Sequence, residues 1–168
     1  VYAVFLAVVS GWYLRSTRVR LYEHETARAR SAAAAVQGYL LASELPLLVG
    51  GAGADETLAR LVAIGAYGTG ASSIKLFDRS GSLLYSSDPN DGETGYDEEE
   101  VRDAAAGESS ARVHHRNGRS LLEYYTPLWG PGHEASGAIE IYFDITASVE
   151  SLREGGMLVV MSAVTSFV

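Results

Sequence analysis

Eight residues could do chemistry together: Lys75, Phe77, Arg112, His114, Glu123, Tyr125, Glu140 and Tyr142. They fall in runs of alternating polarity, and successive side chains of a strand point to opposite faces. In the last such run Ile139, Ile141 and Phe143 share one face, and Glu140, Tyr142 and Asp144 share the other. In the first, Ile74 and Leu76 oppose Lys75 and Phe77. Asn117-Gly118 is the strongest hairpin signal in the chain. Read as a two-residue turn, it sets Arg116 opposite Arg119, His114 opposite Leu121 and Arg112 opposite Glu123. The resulting set mixes charges of both signs with aromatic rings. An arginine fork matches a carboxylate, a lysine supplies a point charge, and an aromatic wall keeps water out. The chemistry implied is recognition of a small anionic or zwitterionic metabolite. The plainer reading of the same alternation is a wet outer sheet face, with Arg112–Glu123 an ordinary cross-strand ion pair of little worth.

Other chemistries fail on residue type or spacing. The chain has no cysteine, so it has no disulfide framework, thiolate zinc site or thiol nucleophile. His24-Glu25 opens like a zincin motif, but Arg28 stands where its second histidine belongs. There is no Gly-x-Ser-x-Gly elbow. Residues 68–73, GTGASS, lack the lysine of a phosphate loop and precede a strand. The segment Asp88–Asp103 holds eight acids and one arginine, but its glycine falls one position early for a calcium loop. His114 and His115 are adjacent in a strand and point apart, so they cannot readily share a metal. No catalytic residue, metal site or cofactor is expected. With 13 basic against 21 acidic residues in 168, a formal net charge of −8 also argues against a nucleic-acid partner.

The elements that must position the eight residues form one α+β order. Residues 15–42 read as a long helix. Val19, Tyr22, Thr26, Ala29, Ala33, Val36 and Leu40 recur at spacings of three and four, a heptad-like seam suited to a homodimer through residues 19–40. The same seam would serve a helix packing on its own domain. Asp55–Ile64 reads as a short amphipathic helix with Asp55 as its cap. Strands are expected at Ser72–Phe77, Leu83–Ser87, Ala111–Arg116, Arg119–Leu128 and Gly137–Ile145. Asp78-Arg-Ser-Gly81 forms a turn, and a helix at Asp97–Ala106 crosses between the second and third strands. A further helix starts at Thr146, whose hydroxyl is placed to cap it.

All charges lie between Arg15 and Glu154; residues 1–14 and 155–168 carry none. Each apolar end would span roughly 21 Å as a helix, short of the ~30 Å hydrocarbon core. The ends read as parts of two membrane helices, with Trp12 and Tyr13 as an interfacial anchor. Residues 1–14 are thus expected to end a first span and residues 155–168 to begin a second. A single domain, 15–154, lies between them, with its sheet region at 72–145. The arginines at 15, 18, 20, 28 and 30 favour the cytoplasmic side by the positive-inside tendency.

The run Ile74–Pro89, IKLFDRSGSLLYSSDP, is similar to a "strand, D-x-x-G, strand, S-D-P" segment. Gly95 and Ala106-Gly107-Glu108 follow, then Tyr125–Leu128 and Gly137–Thr146 as last strands. Over roughly residues 20–154 the arrangement resembles the single Cache domains, PAS-like extracytoplasmic sensors of bacterial receptor kinases, diguanylate cyclases and chemoreceptors. The resemblance implies a five-stranded antiparallel sheet of order 2-1-5-4-3 with the long helix on one face and a ligand pocket on the other. It also implies signalling through the terminal helices. It places residues 15–154 outside the inner membrane, against the arginine tendency. The helix motif that reads amino acids in double-Cache relatives has no clear counterpart in this chain, so the ligand stays open. The expected mechanism has loops 65–73 and 88–97 closing over the sheet, with Asp144 and Thr146 coupling the last strand to the exit helix. An envelope docking or structural domain is the competing reading.

Overall fold

Why α1 lies where it does follows from small residues at helical spacing. The computed structural model describes residues 2–42, 63, 68–88, 98–130 and 132–165. In it α1 runs Tyr2–Ala42 without a break, continuing the expected helix through the charge-free segment. Ala29, Ala32, Ala33, Val36 and Leu40 are buried, at most 5% exposed, on one stripe of α1. Alanine lets a helix approach closely, and this stripe seats on Ile74, Leu76, Leu122, Ile139, Ile141 and Phe143 of the sheet. The seam from Ala29 to Leu40 is therefore consumed inside its own domain. A second chain could meet only other parts of α1, such as Val19, which is 48% exposed.

The strands are β1 (Ser73–Asp78), β2 (Leu83–Ser86), β3 (Ser110–Arg116), β4 (Arg119–Trp129) and β5 (Ala135–Asp144). They form one sheet of order β2-β1-β5-β4-β3, antiparallel throughout. Two turns set the registers. Asn117 (φ 51°) and Gly118 (φ 75°) both take positive φ, giving the hairpin twist that pairs Arg116 with Arg119. In the β1–β2 turn, Asp78 Oδ1 accepts hydrogen bonds from the Ser80 and Ser82 amides at 2.8 and 2.9 Å, and Gly81 takes φ 86°. The Ser80 hydroxyl and these amides hold the Asp78 carboxyl below the usual carboxylate range. Pro127 is tolerated in a central strand because β4 outruns β3, whose pairing ends at Tyr125. The same overhang is tied to α1: Gln37 donates to the Trp129 carbonyl at 2.7 Å and accepts from the Trp129 amide at 2.9 Å.

A short helix, α2 (Glu98–Ala105), covers part of the opposite sheet face. Its Val101 and Ala104 pack with Phe77, Tyr125 and Ala138. The last helix, α3 (Thr146–Thr165), leaves β5 after one residue and runs beside α1. Among the described residues no helix is long and apolar enough to cross a membrane. The helix expected over Asp55–Ile64 lies, but for Ala63, outside the described residues, as do residues 89–97 of the acidic connection.

Candidate functional site

Register assembles the candidate residues on one face, in two rows across the sheet. Lys75, Glu140, Tyr125 and Ser110 pair in sequence through β1, β5, β4 and β3. Ser73, Tyr142, Glu123 and Arg112 form the next row. Phe77 lies beyond the first row under α2, and His114 beyond the second at the sheet edge.

The centre of this face is dry and charged. Lys75 and Glu140 are 1% and 0% exposed. Their Nζ and Oε2 atoms lie 3.6 Å apart, an ion pair rather than a hydrogen bond. The Lys75 ammonium stands 5.1 Å from the centroid of the Tyr142 ring, within cation–π range. The Tyr142 hydroxyl donates to Glu140 Oε1 at 2.6 Å. Burial holds the Glu140 carboxyl above the usual range, opposed by the Tyr142 hydrogen bond and the Lys75 charge. Burial, then the Glu140 charge, pushes the Tyr142 hydroxyl far upward, so it remains a donor. Tyr125 donates to Glu123 Oε2 at 3.3 Å.

The β3 rim is accessible. Arg112 and His114 side chains are 43% and 50% exposed. His114 Nε2 lies 3.1 Å from Glu123 Oε2. Arg112, although opposite Glu123 in register, reaches over to Glu100 of α2, which also accepts from the Ser110 hydroxyl. Register fixes where a Cβ sits, and a long guanidinium side chain then selects the carboxylate it can meet.

The β5–α3 junction differs from the expected cap. Asp144 Oδ1 accepts the Thr146 amide at 3.0 Å, so Asp144 covers the free N–H at the start of α3. The Thr146 hydroxyl accepts the Ser120 amide at 2.9 Å and holds the helix start to β4. The Thr146 hydroxyl and amide, with Arg119 nearby, keep the Asp144 carboxyl below its usual range. A second junction was missed. Glu25 of α1, 3% exposed, accepts from the Ser148 hydroxyl of α3 at 3.1 Å and pairs with Arg28 at 2.7 Å. Arg28 also donates to the Thr69 carbonyl at 3.2 Å and stands 4.9 Å from the Phe143 ring centroid. The only sequence signal was Glu25 and Arg28 at i, i+3; Ser148 is 123 positions away.

A long helix on one face of a 2-1-5-4-3 antiparallel sheet is the fold that the Cache resemblance implies. The chain matches no protein-family model and no curated protein. Solved structures do resemble it. The sensor domain of the V. cholerae histidine kinase DctB is 19% identical with a TM-score of 0.54, over 87% of this chain and 58% of that one. The ligand-binding domain of the Campylobacter jejuni chemoreceptor Tlp3 in complex with L-valine is 12% identical with a TM-score of 0.56, over 91% and 63%. Its complex with L-norvaline gives 0.55 at the same identity, over 91% and 62%. The chain therefore spans about three fifths of the length of the solved domains it resembles, and what is shared is the fold.

Proposed function

We propose that residues 15–154 form the extracytoplasmic ligand-sensing domain of a membrane receptor of the histidine kinase, diguanylate cyclase or chemoreceptor type. It binds a small anionic or zwitterionic metabolite and performs no chemistry on it. The observation that carries the reading is the buried Lys75–Glu140–Tyr142 cluster with Arg112 and His114 on its open rim. Buried ionisable groups are costly to retain for stability alone and gather where ligands are bound. The ligand lies over the β3 rim. Arg112 and His114 meet its carboxylate, Glu123 meets its ammonium or hydroxyl groups, and the buried Lys75–Glu140–Tyr142 cluster sets the charge beneath it. Phe77 and Tyr125 stiffen the floor under α2. That the related folds belong to sensor and ligand-binding domains, some solved with L-valine or L-norvaline, supports amino acids as first candidates. In this reading the charge-free parts of α1 and α3 belong to membrane helices; the close approach of Leu14 of α1 to Gly156 of α3 supports it, since two spans must leave the domain side by side.

The test is a thermal-shift screen with L-amino acids and small carboxylates, followed by calorimetry on each hit. Binding to the native state raises the midpoint as ligand exceeds its Kd. Arg112→Ala is expected to weaken binding by roughly tenfold or more, the loss of a charge-assisted pair. A hit whose affinity is untouched by both Arg112→Ala and Lys75→Ala would refute this placement.

Signal leaves through β5, which carries Glu140 and Tyr142 and enters α3 at the Asp144–Thr146 cap. Binding shifts the balance between two settings of α3 against α1. Asp144→Ala in the full receptor should leave ligand affinity unchanged and abolish the response. An intact response with that variant sinks the coupling role.

A further inference from the structure

Where α1 and α3 converge they leave a cleft of about 660 Å³, remote from the ligand face. Arg15 and Arg18 of α1, Arg153 of α3 and His115 of β3 line it, over a floor that includes Leu21 and Leu152. None of its lining residues is acidic. Among the described residues no carboxylate lies within 4 Å of these three guanidinium groups, although the chain carries a net charge of −8. Arg15 and Arg18 are one turn apart, so their like charges share a face and repel unless an anion stands between them. Arg18 is held in place: its Nε donates to the Tyr22 hydroxyl at 3.0 Å and its guanidinium stands 5.5 Å from that ring. The His115 Nδ1 is engaged by the Ser120 hydroxyl at 2.9 Å, which leaves Nε2 for a ligand.

One turn further along α1 the surface becomes apolar. Val8, Trp12 and Tyr13 are 64%, 68% and 46% exposed. A cationic cleft bordered by exposed aromatic and aliphatic side chains matches a molecule with an anionic head and a hydrocarbon tail. We infer that this cleft binds the headgroup phosphate of an anionic phospholipid, its acyl chains lying along Val8 and Trp12. A free phosphate would leave the apolar border and most of the cleft volume unused. The bound lipid bridges α1 and α3, the two helices through which the domain is linked to whatever it controls. The inference rests on the cleft alone and does not depend on the ligand face.

The experiment measures thermal midpoints of the 168-residue chain in neutral detergent micelles doped with phosphatidylglycerol or phosphatidylcholine. Phosphatidylglycerol is expected to raise the midpoint, with an apparent affinity about 100-fold above phosphatidylcholine for three engaged arginines. The triple variant Arg15→Gln, Arg18→Gln, Arg153→Gln should lose that preference, and the triple Arg→Lys variant should keep it. Equal shifts with both lipids would mean that apolar surface alone is responsible and would overturn the inference. So would an equal shift from inorganic phosphate at the same concentration, which would assign the cleft to a free anion. Failure of the Arg→Lys variant to bind, with its midpoint unchanged in detergent alone, would overturn it too.

Discussion

Lys75→Met is expected to cost the fold about 3–5 kcal/mol at pH 7, the loss seen when one partner of a buried ion pair is removed. Methionine keeps an unbranched stem of similar reach, so the change is mainly of charge. Lys75 and Glu140 are both essentially inaccessible to solvent, and water cannot replace the ammonium in screening the carboxylate. The loss should be pH-dependent in a definite direction. Burial already raises the folded-state pKa of Glu140 above the unfolded 4.5, and Lys75 opposes that rise. Without Lys75 it rises further. Between 4.5 and the raised value the folded chain binds more protons than the unfolded chain, so stability falls as pH increases through that window and recovers as pH is lowered. Urea denaturation of the variant should therefore give a higher midpoint near pH 5 than at pH 7, relative to the parent. Lys75→Met combined with Glu140→Gln should regain most of the pH 7 loss, because no unpaired charge remains. An equal penalty at both pH values, or a double variant as weak as the two single losses added, would show that the pair is not the cause.

The parts of this architecture that are local in sequence could be read from it. Asn117-Gly118 fixed the β3–β4 register residue by residue, because a two-residue turn leaves no freedom in the pairing that follows. Alternation sorted Ile139, Ile141 and Phe143 from Glu140 and Tyr142 for a similar reason: a strand has only two faces. The α1 seam shows where such reasoning stops. Periodicity says that Ala29, Ala33, Val36 and Leu40 are buried, but not whether against a second helix or against the chain's own sheet. Glu100 shows a second limit. It stands in a run of acids that looks solvated, yet with Val101, Ala104 and Ala105 it completes the buried stripe of α2 and receives Arg112. The helix expected at Asp97–Ala106 contains that residue, but composition does not say which of its acids faces inward; helical spacing with Val101, Ala104 and Ala105 does. The Glu25–Ser148 contact had no local signal, since it depends on two helices meeting in space.

Gly137→Ala should be among the most damaging single-methyl additions in the domain, costing about 3–5 kcal/mol. Gly137 starts the length of β5 that is paired on both sides, between Asp78 of β1 and Leu128 of β4. A Cβ at this position would be driven into the Phe77 carbonyl oxygen, well inside van der Waals contact, with the Phe77 and Asp78 carbonyl carbons at 3.1 and 3.3 Å. All three atoms are backbone, so no rotamer change relieves the clash, and β1 and β5 must part. That pair carries Lys75 opposite Glu140, and β5 goes on to enter α3 at Asp144. A methyl group at one end of the strand thus disturbs the core, the charged cluster and the helix junction together. The thermal midpoint should fall by roughly 6–20 °C, at about 2–4 °C per kcal/mol for a chain of this size. Gly11→Ala supplies the contrast: its Cβ meets nothing within 4 Å, and in an exposed helical turn alanine should be neutral or stabilising by up to about 1 kcal/mol. If the two substitutions have similar effects, glycine at 137 is retained for chain flexibility, and the close approach of β1 to β5 is not what holds these strands in register.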